Sequence, residues 1–158
     1  HGHNDENPTY GTVRVLAAWR ECNQLDEPPA RRAVRWLLSA QNEDGGWGGE
    51  RGTPSTVEET SLAVEVLLSA DPQDPRVQRG LNWLVARTLD GRYREATPIG
   101  FYFARLWYFE RLYPLIFLAA ALRRAGRLPG YSGKQESKRQ PSAGTGNHTL
   151  PADYPPVV

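Results

Sequence analysis

Sulfur is scarce in this sequence. Its 158 residues hold no methionine and one cysteine, Cys22. A lone thiol excludes an internal disulfide framework and a cysteine-based zinc site, and it points to a reducing, cytoplasmic compartment. Charge of one sign is lacking too: 19 Lys and Arg face 18 Asp and Glu, a net charge of +1. No nucleic-acid partner is expected, because nothing draws in a polyanion. No run approaches the roughly 20 apolar residues of a membrane-spanning helix, and no secretory leader opens the chain. A start at His1 rather than Met implies a fragment or a processed product. No segment alternates convincingly as a strand does, so the expected fold class is all-α.

Helical patterns are what the sequence supplies. Residues 12–22 place Val13, Leu16, Ala17 and Arg20 on one face and its edge. Residues 28–41 open on Pro28-Pro29 and carry Ala33, Trp36, Leu37 and Ala40 at i, i+3, i+4, i+7. Ser55 or Thr56 caps a third helix, with Glu58 or Glu59 three residues on as its capping-box partner; Leu62, Ala63, Val66, Leu67 and Ala70 continue it. A fourth spans 75–88 with Val77, Leu81, Leu84 and Val85 inward. The last is expected over 100–124, in two pieces or kinked at Pro114. Residues 1–11 read as a lead-in and 12–126 as one domain. Residues 127–158, rich in Pro, Gly, Ser and charge, read as a disordered tail. The glycosylation sequon at Asn147 in that tail is ascribed to chance.

The second and fourth helices repeat one another. RRAVRWLLSAQNEDGGW (31–47) lies over QRGLNWLVARTLDGRY (78–93), with Trp83 repeating Trp36 after 47 residues. The helices before them pair as well, Thr12 with Thr60. A helix hairpin used twice at this period means a solenoid or a closed α/α barrel. The stretch QNEDGGWGG (41–49) follows a helix and carries two acids. A phosphate loop instead precedes a helix and avoids anions. A sugar-gripping Trp fits less well than a structural clasp, because the repeated pattern reaches back into the helix. Helix ends leave carbonyls and amides unsatisfied. A glutamine offers an acceptor and two donors, an indole face shields such bonds, and glycines let the loop fold back. Trp36, Gln41, Gly46 and Trp47 form this predicted clasp, with Trp83 and Tyr93 in the weaker second copy.

AVRWLLSAQNEDGGWGG resembles the QW motif of the triterpene cyclases, the squalene–hopene cyclase family. RGLNWLVARTLDGRY is similar to a degraded copy, with Thr88 for Gln and Tyr93 for Trp. GTPSTVEETSLAVEVLL resembles the segment between the last two QW motifs, and PIGFYFARLWYFERLYPLIFLAAAL the aromatic C-terminal segment. The match covers about residues 7–124. The resemblance implies helix-hairpin repeats forming part of an α/α (toroid) barrel, at the C-terminal end of a cyclase that acts on squalene or a similar polyprenoid. It also implies peripheral membrane contact and no cofactor. Such cyclases protonate their substrate with an Asp-x-Asp-Asp acid. No such motif occurs here, and Asp71 and Asp74 have the wrong spacing. No catalytic residue is therefore assigned, and the chain alone should be inactive.

The chemistry that remains is carbocation stabilisation by aromatic faces, each contact worth roughly 0.5–2 kcal/mol. The resemblance places substrate contacts on Phe101, Tyr102, Trp107, Tyr108 and Phe109. Its register leaves open Phe101 or Tyr102, Leu106 or Trp107, and Tyr108 or Phe109. Tyr102, Leu106, Phe109 and Tyr113 would share a helical stripe, which core packing alone could also explain. Glu58 and Glu59 suit capping better than paired acid chemistry, since helical neighbours diverge by about 100°. Arg105 and Arg111 are expected to pair with Glu110 or solvent rather than hold a diphosphate. His1, His3 and Asp5 sit at a terminus, and no metal site is expected. Two rivals stand beside the cyclase. One is a non-catalytic α/α module binding a protein or hydrophobic partner. The other is a prenyltransferase β-subunit, whose zinc site Cys22 cannot complete.

Overall fold

The computed structural model describes residues 7–100 and 107–127, the side chains of 99, 100, 107 and 108 excepted. Five α-helices occur among them: α1 (Pro8–Glu21), α2 (Pro28–Ser39), α3 (Val57–Ala70), α4 (Pro75–Leu89) and α5 (Tyr113–Ala125). A 3-10 turn at Arg92–Arg94 follows α4. Strands β1 (Pro98–Gly100) and β2 (Trp107–Phe109) then pair antiparallel, with Ile99 opposite Tyr108. The class is all-α: two helix hairpins side by side, the repeating unit of an α/α barrel, with one short β-hairpin before α5.

Local chemistry sets the helix starts. Four helices carry Pro in the first turn, where its missing N–H has no partner to lose. Asn7 caps α1 by accepting from Tyr10 N, so the helix begins at Pro8, inside the expected lead-in. Thr56, not Ser55, caps α3 by accepting from Glu59 N. Glu59 is the matching acid: it accepts from the Thr56 hydroxyl and, at 2.9 Å, from Asn7 Nδ2. The caps of α1 and α3 are thereby joined.

Helix α3 lies at the centre, packed on the other four helices. Its Ala63, Val64, Val66 and Leu67 are buried beside Val13 and Leu16 of α1, Leu37 of α2, Leu81 and Leu84 of α4, and Leu118 and Ala121 of α5. Each such Val or Leu contributes about 1.5–3 kcal/mol by leaving water. Glu65 on α3 accepts from Arg20 Nη1 of α1 and from Arg124 Nε of α5, both at 2.6 Å. Arg20, expected at the edge of the apolar face, spends its charge there.

The expected helix over 100–124 is wrong in its first half. Residues 107–109 form a strand, so Phe109 and Tyr113 share no helical stripe; Tyr102 and Leu106 lie outside the described residues. Adjacent aromatics suit a pleated strand better than a helix, where χ1 is crowded by the preceding turn. Pro114 produces no kink, because α5 starts at Tyr113 and places it in the first turn. Glu110 Oε1 accepts from Leu112 N at 3.0 Å and turns the chain into that helix.

Candidate functional site

The loop 41–49 is tied to all four surrounding helices. Gln41 Nε2 donates to the Gly45 carbonyl at 2.8 Å and to the Arg76 carbonyl in the first turn of α4 at 2.7 Å. Its Oε1 accepts from the Arg79 guanidinium at 2.8 Å, rather than from a helix amide. Trp47 is wholly buried and donates its indole N–H to the Leu37 carbonyl in the last turn of α2, at 2.8 Å. Trp47 N donates to Thr60 Oγ1 of α3, and Thr9 N of α1 donates to the Gly49 carbonyl. Gly45 has a φ of +93°, which favours glycine. A Cβ on Gly46 would stand 2.6 Å from that of Ser55. Trp36 lies half-buried against the core.

Sequence reasoning missed two members of this loop. Asn42 Nδ2 donates to the Thr53 carbonyl and to Ser55 Oγ. Asp44 accepts from Gly46 N, Ser55 Oγ and the Trp83 indole N–H, the last at 3.0 Å. Burial pushes the Asp44 carboxyl up, but those three donors outweigh it and hold the group below the usual range. The acids that argued against phosphate are thus the signal that was available. Trp83 belongs to the second copy yet binds the first copy's loop. Among the described residues the rest of the second copy makes no equivalent network. Thr88 Oγ1 donates to the Leu84 carbonyl of its own helix. Tyr93 is half-buried in the 3-10 turn, with the Arg94 guanidinium 5.2 Å from its ring centre.

The aromatic segment lies at the other end of the chain. Trp107, Tyr108 and Phe109 form β2, and Phe101 and Tyr102 lie outside the described residues. Phe109 is 66% exposed and lines a cavity of about 400 Å³ with Arg94, Ala96, Arg111 and Leu115. Arg111 therefore faces the cavity. Among the described residues neither it nor Arg94 has a carboxylate within salt-bridge distance, and Glu110 accepts from Leu112 N instead of pairing with Arg111. Glu58, at the start of α3, is 4% exposed and does not cap. It accepts from Thr97 N at 3.1 Å and from the Thr97 hydroxyl. Burial pushes its carboxyl above the ordinary range, although the Thr97 bonds pull the other way. No group of three His, Cys, Asp or Glu among the described residues is placed to hold a metal; His1, His3 and Asp5 lie outside them. No helix of the described residues is long and apolar enough to cross a membrane.

Comparison with known proteins follows the same residues. The squalene–hopene cyclase of Bradyrhizobium diazoefficiens is 34% identical over 132 residues, covering 72% of this chain and 20% of its own length. A probable squalene–hopene cyclase of Sinorhizobium fredii gives the same figures. A copalyl diphosphate synthase of Streptomyces anulatus is 38% identical over 77 residues, 48% of this chain and 14% of its own. The chain thus spans about a fifth of the length of the squalene–hopene cyclases it matches. No solved structure matches. The profile of the squalene-hopene cyclase C-terminal domain covers residues 1–127, both helix hairpins and the aromatic strand together, and the chain belongs to that family.

Proposed function

We propose that this chain is the C-terminal stretch of a terpene cyclase barrel, supplying wall to the reaction cavity but not the acid. The observation that carries the reading is the cavity beside β2, which the exposed Phe109 lines together with Leu115 and Ala96. A polyene cyclisation passes through carbocations that a nucleophile would quench. Aromatic faces stabilise them by roughly 0.5–2 kcal/mol each, more when water is excluded. Phe109, with Phe101, Tyr102, Trp107 and Tyr108, supplies those faces. The chain has no Asp-x-Asp-Asp motif, so alone it turns nothing over. The Gln41–Trp47 loop is the clasp that locks neighbouring hairpins and takes no part in the chemistry. The substrate is squalene or a similar polyprenoid, reached from a membrane surface.

A chimera tests this. The matching C-terminal fifth of the Bradyrhizobium enzyme is replaced by this chain, and cyclised products from squalene are analysed. Turnover by the chimera, none by the chain alone, and a shift toward early-terminated products on Phe109→Ala support the reading. A folded chimera without turnover, or one indifferent to Phe109→Ala, overturns it.

Arg94 and Arg111 favour a second reading. Two guanidinium groups over an apolar floor suit a prenyl chain ending in a diphosphate, and one relative is named a copalyl diphosphate synthase. Product formation by the same chimera from a prenyl diphosphate but not squalene, lost in Arg94→Ala and Arg111→Ala, would select it.

A further inference from the structure

We propose that Glu58 is a positioning residue, the anchor that fixes the aromatic strand against the helical layer. The inference rests on the reading of that strand as cavity wall. Glu58 is the one charged residue buried among those described. Its two oxygens accept from Thr97, one from the backbone N–H and one from the hydroxyl. No cation lies within salt-bridge distance of it among the described residues. Burying an acid without a cation is costly unless hydrogen bonds replace the lost water. The start of α3 lowers that cost, because the helix dipole favours a carboxylate in the first turn.

The partner's place in the chain explains the arrangement. Thr97 immediately precedes Pro98, the first residue of β1, and β1 holds β2 across three residue pairs. A two-stranded hairpin this short is not stable alone in water. It needs a tie to the layer beneath, and one with direction, since apolar contact alone lets a strand slide. A carboxylate gripping both donors of one threonine fixes position and orientation together. Glu59, the next residue, serves the caps of α1 and α3 instead. The two acids thus divide the work: Glu59 holds helix starts together, and Glu58 holds the hairpin.

Amide hydrogen exchange on the full 158-residue chain tests the anchor without reference to substrate. In Glu58→Ala, the amides of Thr97, of 99–100 and of 107–109 should exchange about tenfold faster, with core amides of α3 and α4 unchanged. Glu58→Gln keeps an acceptor of the same shape and should restore most of the protection. Thr97→Val keeps Glu58 and removes one donor, and should give an intermediate loss. Wild-type exchange at Thr97 and the strands in Glu58→Ala overturns the proposal, as does a loss shared equally by the core amides. In the chimera, Glu58→Ala should shift products as Phe109→Ala does, and Glu58→Gln should rescue. A hairpin that loosens while a folded chimera stays inactive supports the anchor and sinks the cyclase reading. A chimera whose products respond to Phe109 but not Glu58 does the reverse.

Discussion

Three hydrogen bonds converge on the Gln41 amide, two donated to carbonyls and one accepted from Arg79. Gln41→Ala leaves those carbonyls and the Arg79 guanidinium short of a partner. It should cost about 1–3 kcal/mol, read as a lower thermal midpoint, with ligand affinity of the folded protein unchanged. Gly80 is a second sensitive position. A Cβ there would stand 2.5 Å from the Trp47 ring and 2.8 Å from Val64 Cγ2. Gly80→Ala gains about 1 kcal/mol of helix propensity, but overpacking costs about 1–3 kcal/mol. The clash with a wholly buried ring should win, and urea unfolding should show net destabilisation. Asp44 sets a pH dependence. Its folded-state pKa lies below the ordinary value, so its contribution to stability is present above the ordinary carboxylate range and lost as pH falls through the folded value. The stability gap between the wild type and Asp44→Asn should therefore narrow on acidification, as measured by denaturant unfolding at a series of pH values.

Among the elements, Glu65 makes the clearest prediction. It joins α1, α3 and α5 through Arg20 and Arg124 in a part-buried cluster. Glu65→Ala should cost about 1–3 kcal/mol, and the loss should shrink in 1 M salt, where exposed charges are screened. Helices were the legible part of this fold. Pro28-Pro29 announces α2 and Thr56 was one of two caps read for α3, while the start of α1 at Asn7 and the Asp74 cap of α4 went unread because the apolar period begins later than the cap. The run from Trp107 to Phe109 was misread because aromatic spacing alone cannot separate a short strand from a helix segment; pairing with Pro98–Gly100 decides it, and pairing is non-local. The site divides in the same way. Gln41 and Trp47 stood out through the repeat. The hydrogen bonds of Asp44 with Trp83 and of Glu58 with Thr97 each join residues 39 apart, and no local pattern marks them. Glu58 even carries a local signal for the wrong role, since capping boxes accept either of two adjacent acids.

At the scale of the molecule, the 41–49 loop determines how the parts depend on one another. Its partners are Leu37, Thr60, Arg76, Arg79, Trp83 and Thr9, drawn from every helix of both hairpins. Solenoid repeats usually gain stability unit by unit, and each hairpin can open with limited effect beyond its neighbour. Here the Gln41 side chain takes two of its partners, Arg76 and Arg79, from α4, at least 35 residues further along the chain. Such contacts form late, after the loop-closure entropy has been met. Gln41→Ala should then leave the folding rate nearly unchanged and speed unfolding, a φ-value near zero in stopped-flow chevrons. Residues that come together last on the way in are the first to part on the way out. The lifetime of the folded state, more than its rate of formation, is what Gln41 should then govern.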